Sequence, residues 1–307
     1  MKIFFCGSGE FAADCLRRIS SGIEIDLVVT NEPKTAGRGL KLTPTPVAEA
    51  AEELALRCKT TKRLSADGEL LTYMTAAAPD IILVIDFGQM IKEPVLSLPK
   101  YGCINIHPSL LPAYRGSAPL QRAIMDGLES TAITIFKLDS GMDSGPMLAQ
   151  VKVEISPEDD YMSLLAKSAK IGSDSLIRHI CEVGPKNWRL VPQNGDGLSL
   201  APKIDKSEGK IDWNRSSVEL VNLIRALKYS PGTFSFFGGK RLRIYEAATI
   251  DKHGSASEIL AIEDGYPIIG CGSGAIKLLS VQAEGKKIQN ANEWLRGSRA
   301  EIGDSFD

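Results

Sequence analysis

The first half of the chain alternates two hydrophobic periods, and that alternation constrains the fold more than any other feature. KIFFC (2–6), IDLVVT (25–30), IILVID (81–86) and CINIH (103–107) are short, continuous apolar runs. Their length and lack of in-out alternation suit strands covered on both faces. Between them, Phe11, Ala12, Cys15, Leu16 and Ile19 recur at helical spacing, as do Val47, Ala50, Ala51 and Leu54. Alternating β and α units predict an α/β, Rossmann-like domain with a mostly parallel sheet and right-handed crossovers. The loop after the fourth run then leaves the carboxyl end of a central strand, where open α/β sheets form their ligand crevice.

AITIFKL (132–138) and MLAQVKVEI (147–155) continue the strand-like pattern, and a helical face over 159–182 closes this first domain, placed at 1–183. Residues 184–209 are rich in Gly, Pro and polar side chains without a sustained period, and read as a linker. The remainder, 210–307, opens with a capping-box pair, Ser216 and Glu219, ahead of Val221, Ile224 and Leu227. TFSFF, RLRIYEAATI, SEILAIED, YPIIGC and AIKLLSVQ follow as short β-rich runs. Several short strands in a row predict a small barrel.

The formal net charge of -2 gives no global reason to expect nucleic-acid binding, so any such role must rest on local charge. Six cysteines are scattered without a C-x-x-C spacing and read as buried thiols, which makes disulfide or zinc use unexpected. The strand-like start and the lack of an 18-residue apolar run predict no signal peptide or membrane span, with the cytoplasm as the expected location. GSGEF (7–11) sits where a dinucleotide fingerprint would, yet it has only two of the three glycines and reads as a tight βα turn.

Chemistry concentrates in NIHPSLLPAYRGSAP (105–119) and GMDSG (141–145). Asn105 supplies a carboxamide that can donate to a developing oxyanion. His107 supplies an imidazole that can move a proton near neutral pH, and Asp143 a carboxylate that can orient it. Asp139 competes for the last role, but only Asp143 has glycines two residues away on both sides. Ser109 lacks a nucleophile elbow and no cysteine substitutes for it, so the nucleophile is expected to come from the substrate.

These residues resemble the active-site pattern of the folate-dependent formyltransferases, Asn-x-His-x-Ser-Leu-Leu-Pro with a downstream Asp-x-Gly loop. PKTAGRGLKLTPTPV, RGSAPLQRAI, KIDWNRSSVEL and GKKI extend the likeness, in order and over nearly the whole chain, to the methionyl-tRNA formyltransferase branch. The resemblance implies 10-formyltetrahydrofolate as co-substrate, methionyl-initiator tRNA as partner, and no metal. It also implies Asn105, His107 and Asp143 as catalytic residues, Ser109, Leu110, Leu111 and Pro112 as the wall of the folate pocket, and an OB-like C-terminal barrel that binds tRNA.

Two basic groups fit the tRNA expectation. Lys34, Arg38 and Lys41 lie in a Gly- and Pro-bounded segment without an intervening acid, as a basic finger would. Arg241 and Arg243 share one strand face if Leu242 and Ile244 point inward, within a stretch that has no acid between Glu219 and Glu246 and also holds Arg225, Lys228 and Lys240. The chain departs from the family pattern at Ser8-Gly9, where Thr-Pro is usual, and at Asp86, where Ala is common. Asp86 is open to two readings, a contact to the pterin or a structural acceptor. The competing functions are a formyltransferase acting on another amine, a catalytically silent RNA-binding protein, and an NAD-dependent oxidoreductase supported only by the GSG turn.

Overall fold

Four largely buried strands and one polar edge strand run parallel through the first compact unit, the buried four because both of their faces are covered. In chain order this part contains β1 (Ile3–Gly7), α1 (Glu10–Ile19), β2 (Leu27–Asn31), the small hairpin β3 (Lys34–Ala36) and β4 (Lys41–Thr43), α2 (Pro46–Glu53) and β5 (Cys58–Thr61). It continues with α3 (Gly68–Ala77), β6 (Ile81–Ile85), β7 (Cys103–His107), β8 (Arg115–Gly116), α4 (Pro119–Met125, most of which groups with the second unit), β9 (Ser130–Lys137), β10 (Met147–Glu154) and α5 (Tyr161–Arg178). This computed structural model describes residues 1–36 and 41–307.

The sheet order is β10-β9-β7-β6-β1-β2-β5, with β9 alone running opposite to the other six, so the expected mostly parallel sheet is present. One face packs Phe4, Cys6, Val29, Val84 and Cys103 against Leu70 and Met74 of α3. Gly172 of α5 lies against the other face: a Cβ there would come within 2.7 Å of Ile106 Cγ2. The sheet grows in opposite directions from β1, toward β2 and toward β6, so the gap between β1 and β6 is a topological switch point. Two of the elements that escaped the sequence reading flank the sheet. β5 is a polar edge strand, CKTT, and α3 has a weak apolar stripe, although Asp67 caps it by accepting from Leu70 N at 3.0 Å.

The chain divides into two compact units that interleave in sequence. Residues 164–202 group with the first unit, while 120–129 and 155–163 group with 203–307. Much of the segment read as a linker therefore belongs to the first unit. Its β11 (Leu200–Ala201) pairs in parallel with β8.

The second unit begins with α6 (Ser217–Leu227), whose start carries the expected reciprocal cap: Glu219 N donates to Ser216 Oγ and Ser216 N to Glu219 Oε2 at 2.9 Å. The Ser216 hydroxyl and backbone, with Arg215, hold the Glu219 carboxyl down to about 2. Antiparallel strands follow: β12 (Thr233–Phe237), β13 (Lys240–Ile250), β14 (Ile259–Glu263), β15 (Tyr266–Gly270), β16 (Ala275–Ala283) and β17 (Gln289–Asn290), then α7 (Ala291–Ser298). The order β12-β13-β16-β15-β14 leaves two edges, and the C-terminal residues bridge both. Ile259 N donates to Asp304 O at 2.8 Å on one side, and Asp307 N to Phe236 O at 2.9 Å on the other. That bridging closes the OB-like barrel and removes its free edges. Phe306 is buried inside it against Trp213, Phe237 and Trp294.

Candidate functional site

Asn105 and His107 are alternate residues of β7, so both side chains emerge on the same face at the carboxyl end of the strand. His107 is 6% exposed, and its Nε2 lies 3.0 Å from the carbonyl oxygen of Tyr114. A carbonyl can only accept, so Nε2 carries the proton and the neutral ring keeps its lone pair on Nδ1. Nδ1 faces Asp143 Oδ2 at 3.9 Å, too far for a hydrogen bond and close enough for charge to matter. The Asn105 carboxamide makes no hydrogen bond among the described residues, and its Oδ1 is buried. A buried polar end without a partner is costly unless a ligand completes it.

The loops that hold these groups are tied down by backbone contacts. Asp143 takes a left-handed backbone (φ 51°) and its Oδ2 accepts from Gly116 N at 2.8 Å. Asp139 does not compete for the imidazole: its Oδ1 accepts from Gly141 N and Ser144 Oγ, shaping the loop. Ser109 is fully buried and donates its hydroxyl to Ala113 O at 2.7 Å, while Leu111 is buried, Pro112 half-buried and Leu110 exposed. Thr134 Oγ1 on β9 donates to Ser109 O and accepts from Leu111 N. Gln150 Nε2 on β10 donates to Leu111 O at 2.8 Å. The Ser109–Pro112 turn is therefore braced from behind, and its exposed surface is set by Leu110.

Several residues of this bracing were not singled out by sequence reasoning. Gln193 Nε2 donates to both Asp143 O and Gly145 O at 2.9 Å, and its Oε1 accepts from Arg115 Nη2 at 2.6 Å. Ser199 Oγ accepts from Tyr114 N at 3.0 Å. Both lie in the stretch 184–209, whose irregular composition carried no periodic signal. A groove of about 750 Å³ also lies beyond the ends of β2, β5 and β6, with Lys62, Arg63 and Lys92 among its walls. Among the described residues no cluster of three metal-ligating side chains is found, and no helix is long and apolar enough to cross a membrane.

The basic groups differ in what they touch, and Arg243 Nη2 itself donates to Pro231 O at 3.4 Å. Lys34 is exposed at the base of the β3–β4 hairpin, opposite Thr43, and Lys41 stands across from Ala36. Arg38 lies outside the described residues. Leu242 and Ile244 are buried, so Arg241 and Arg243 do share the outer face of β13. The Arg241 guanidinium lies 3.7 Å from the centroid of the Phe234 ring, and that of Arg243 is 5.1 Å from Tyr245. Two other cations of the acid-free stretch are structural. Arg225 Nη1 donates to Ser156 O and Asp159 O, and Lys228 pairs with Glu246 and Asp160.

The fold is that of a formyl-transfer protein: the sequence matches the Formyl transferase model over residues 1–180 and its C-terminal domain model over 203–299. A methionyl-tRNA formyltransferase from Caldicellulosiruptor saccharolyticus is 38% identical over 310 residues, covering 99% of each chain. One from Caldanaerobacter subterraneus is 35% identical, covering 97% of each. Solved structures share the fold at lower identity. A sugar 3N-formyltransferase crystallised with dTDP and 5-N-formyl-THF aligns with a TM-score of 0.66 at 19% identity, covering 94% of this chain and 99% of that one. A methionyl-tRNA formyltransferase from Clostridium thermocellum aligns at 0.58 and 17%, covering 81% and 94%. The chain belongs to the methionyl-tRNA formyltransferase family. It is an enzyme of translation initiation.

Proposed function

We propose that this site moves the formyl group of 10-formyltetrahydrofolate to the α-amino group of methionine on initiator tRNA, in the cytoplasm, without a metal. The observation that carries the proposal is the Asn105 carboxamide, unpartnered beside an imidazole whose Nδ1 lone pair faces a carboxylate. The amine lone pair attacks the formyl carbon, and the carbonyl π electrons move onto oxygen. Asn105 donates to that oxyanion, a contact worth ~3 kcal/mol in comparable sites. His107 Nδ1 takes the proton released by the attacking nitrogen and becomes an imidazolium opposite Asp143. It then returns the proton to N10 as the C–N10 bond breaks, leaving tetrahydrofolate and the formylated amine.

The rigid turn of Ser109, Leu110, Leu111 and Pro112 supports a folate wall through backbone and Leu110 surface, since the Ser109 hydroxyl is spent on Ala113. Lys34, Arg38 and Lys41 form a basic finger toward the acceptor end, and Arg241 and Arg243 a phosphate-tracking face on the barrel. The test is formyl transfer from formylated folate to charged initiator and elongator methionyl-tRNAs in parallel. Preference for the initiator species supports the reading, and transfer to neither refutes it. Loss of transfer in Arg38→Ala without loss of folate binding supports the finger.

A further inference from the structure

Asp86 follows β6 at the switch point of the sheet and is the one carboxylate there that no ordinary structural role absorbs. Its backbone is left-handed (φ 42°), and its carbonyl accepts from Ser8 N at 3.0 Å and Gly9 N at 3.2 Å, which pins it against the first βα turn. The residue keeps some solvent access while its carboxylate lies against the first turn, and it has no hydrogen bond or ion pair among the described residues. Gly9 makes room for it: a Cβ at that position would lie 1.8 Å from Asp86 Oδ2. The two departures from the family pattern, Gly9 and Asp86, thus touch each other. A residue with a Cβ at position 9 is incompatible with this placement of the carboxylate.

The sheet register sets where that carboxylate stands. Val84 pairs with Asn105 across the parallel β6–β7 ladder, so Asp86 and His107 each follow that pair by two residues at neighbouring strand ends, with the Asp86 carboxylate turned against Gly9. The attacking nitrogen must reach the formyl carbon between Asn105 and His107, and at neutral pH it arrives mostly as an ammonium. We propose that Asp86 is the specificity residue for the acceptor, accepting a hydrogen bond from the α-ammonium of the aminoacyl ester as it arrives; the nitrogen then gives up one proton to solvent before its lone pair attacks beside His107. Burial of the carboxyl against the turn, with Glu10 beside it, raises the Asp86 carboxyl to about 6, so it is mostly ionised at neutral pH, and no cation among the described residues pairs with it. An incoming ammonium supplies that partner.

The inference rests on the proposed acceptor, and the test separates the two. Binding of initiator tRNA carrying methionine is compared with the same tRNA carrying the α-hydroxy analogue, for wild type and Asp86→Asn, with formylated folate titrated alongside. The wild type should favour the ammonium form by about tenfold, as a charge-assisted hydrogen bond would. Asp86→Asn should bind both forms equally, with folate affinity and thermal midpoint unchanged. Gly9→Ala, which displaces the carboxylate without removing it, should reduce the preference in the same way and covers a failure of the first variant to fold. A preference that survives in both variants overturns the proposal. Weakened folate binding in Asp86→Asn would instead make the residue a pterin contact, and equal losses for both tRNAs would make it structural. Failure of the wild type to formylate charged initiator tRNA would refute the acceptor itself, whatever the variants do.

Discussion

Replacing Asp143 by Asn removes one charge from the site and little else, which makes it the sharpest probe of the proton relay. Asparagine tolerates the left-handed backbone at φ 51°, and its carboxamide oxygen can still accept from Gly116 N, so the loop should keep its shape. What is lost is the attraction between the Asp143 carboxylate and an imidazolium on His107, 3.9 Å apart. Coulomb's law at that separation gives about 4 kcal/mol for an effective dielectric near 20 and about 1 kcal/mol in bulk water. Side-chain exposures of 7% for His107 and 17% for Asp143 place the pair nearer the protein limit. If the imidazolium forms in the transition state, turnover should fall roughly 10²-fold, within outer bounds of about tenfold and a thousandfold.

Single-turnover formyl transfer with saturating tRNA and folate measures this directly, and the affinities for both substrates should hold. A turnover within about twofold of wild type would refute the relay, because the neutral side chain cannot supply the same field. Asp143→Ala is the poorer experiment. It combines charge loss with a strained left-handed alanine and an unpaired Gly116 N–H, and a lower rate would then have three causes.

Three further outcomes follow from the same geometry. Charge reversal at Arg241 and Arg243 should weaken tRNA binding and flatten the slope of log K against log salt, whereas Arg225→Gln should instead lower the thermal midpoint, since its guanidinium holds Ser156 O and Asp159 O. Arg122 holds the Glu208 carboxyl below its ordinary range, so this pair stabilises the fold near neutral pH and the contribution fades as pH falls through the carboxylate range; Glu208→Gln should cost about 1–2 kcal/mol at pH 7 and nothing near pH 3, read by denaturant titration at both pH values. Gln193→Ala should reduce turnover by about tenfold by loosening the Asp143 loop, with the thermal midpoint and folate affinity nearly unchanged; a fall in midpoint alone would make Gln193 purely structural.

The fold was legible where one local rule decided the outcome. Continuous apolar runs became β1, β2, β6 and β7 because both sheet faces are buried, and Ser216 with Glu219 marked the start of α6 because a capping box is local chemistry. β5 was hidden because an edge strand on a covered sheet can be polar, and CKTT carries no apolar period. The division into units was hidden for a different reason. Residues 120–129 and 155–163 join the second unit through long-range partners such as Arg122 with Glu208 and Arg225 with Asp159 O, and no composition shift announces such a pairing.

The site shows the same boundary between local and long-range information. Asn105 and His107 could be read as a pair because the period of a strand places alternate residues on one face, and the glycines around Asp143 supply the turn that aims it back at the ring. Gln193 could not, because its role depends on a loop some fifty residues away whose carbonyls it happens to meet. Asp86 lies between these cases. Its position at a strand end was visible, but a carboxylate there means one thing if a neighbouring cation neutralises it and another if none does. Only the structure supplies the two facts that bear on it: Gly9 vacates the space the carboxylate fills, and the β6–β7 ladder, which runs to Val84 and Asn105, brings the two strand ends together. A charge at such a strand end with no partner among the described residues fits a partner that arrives with the substrate.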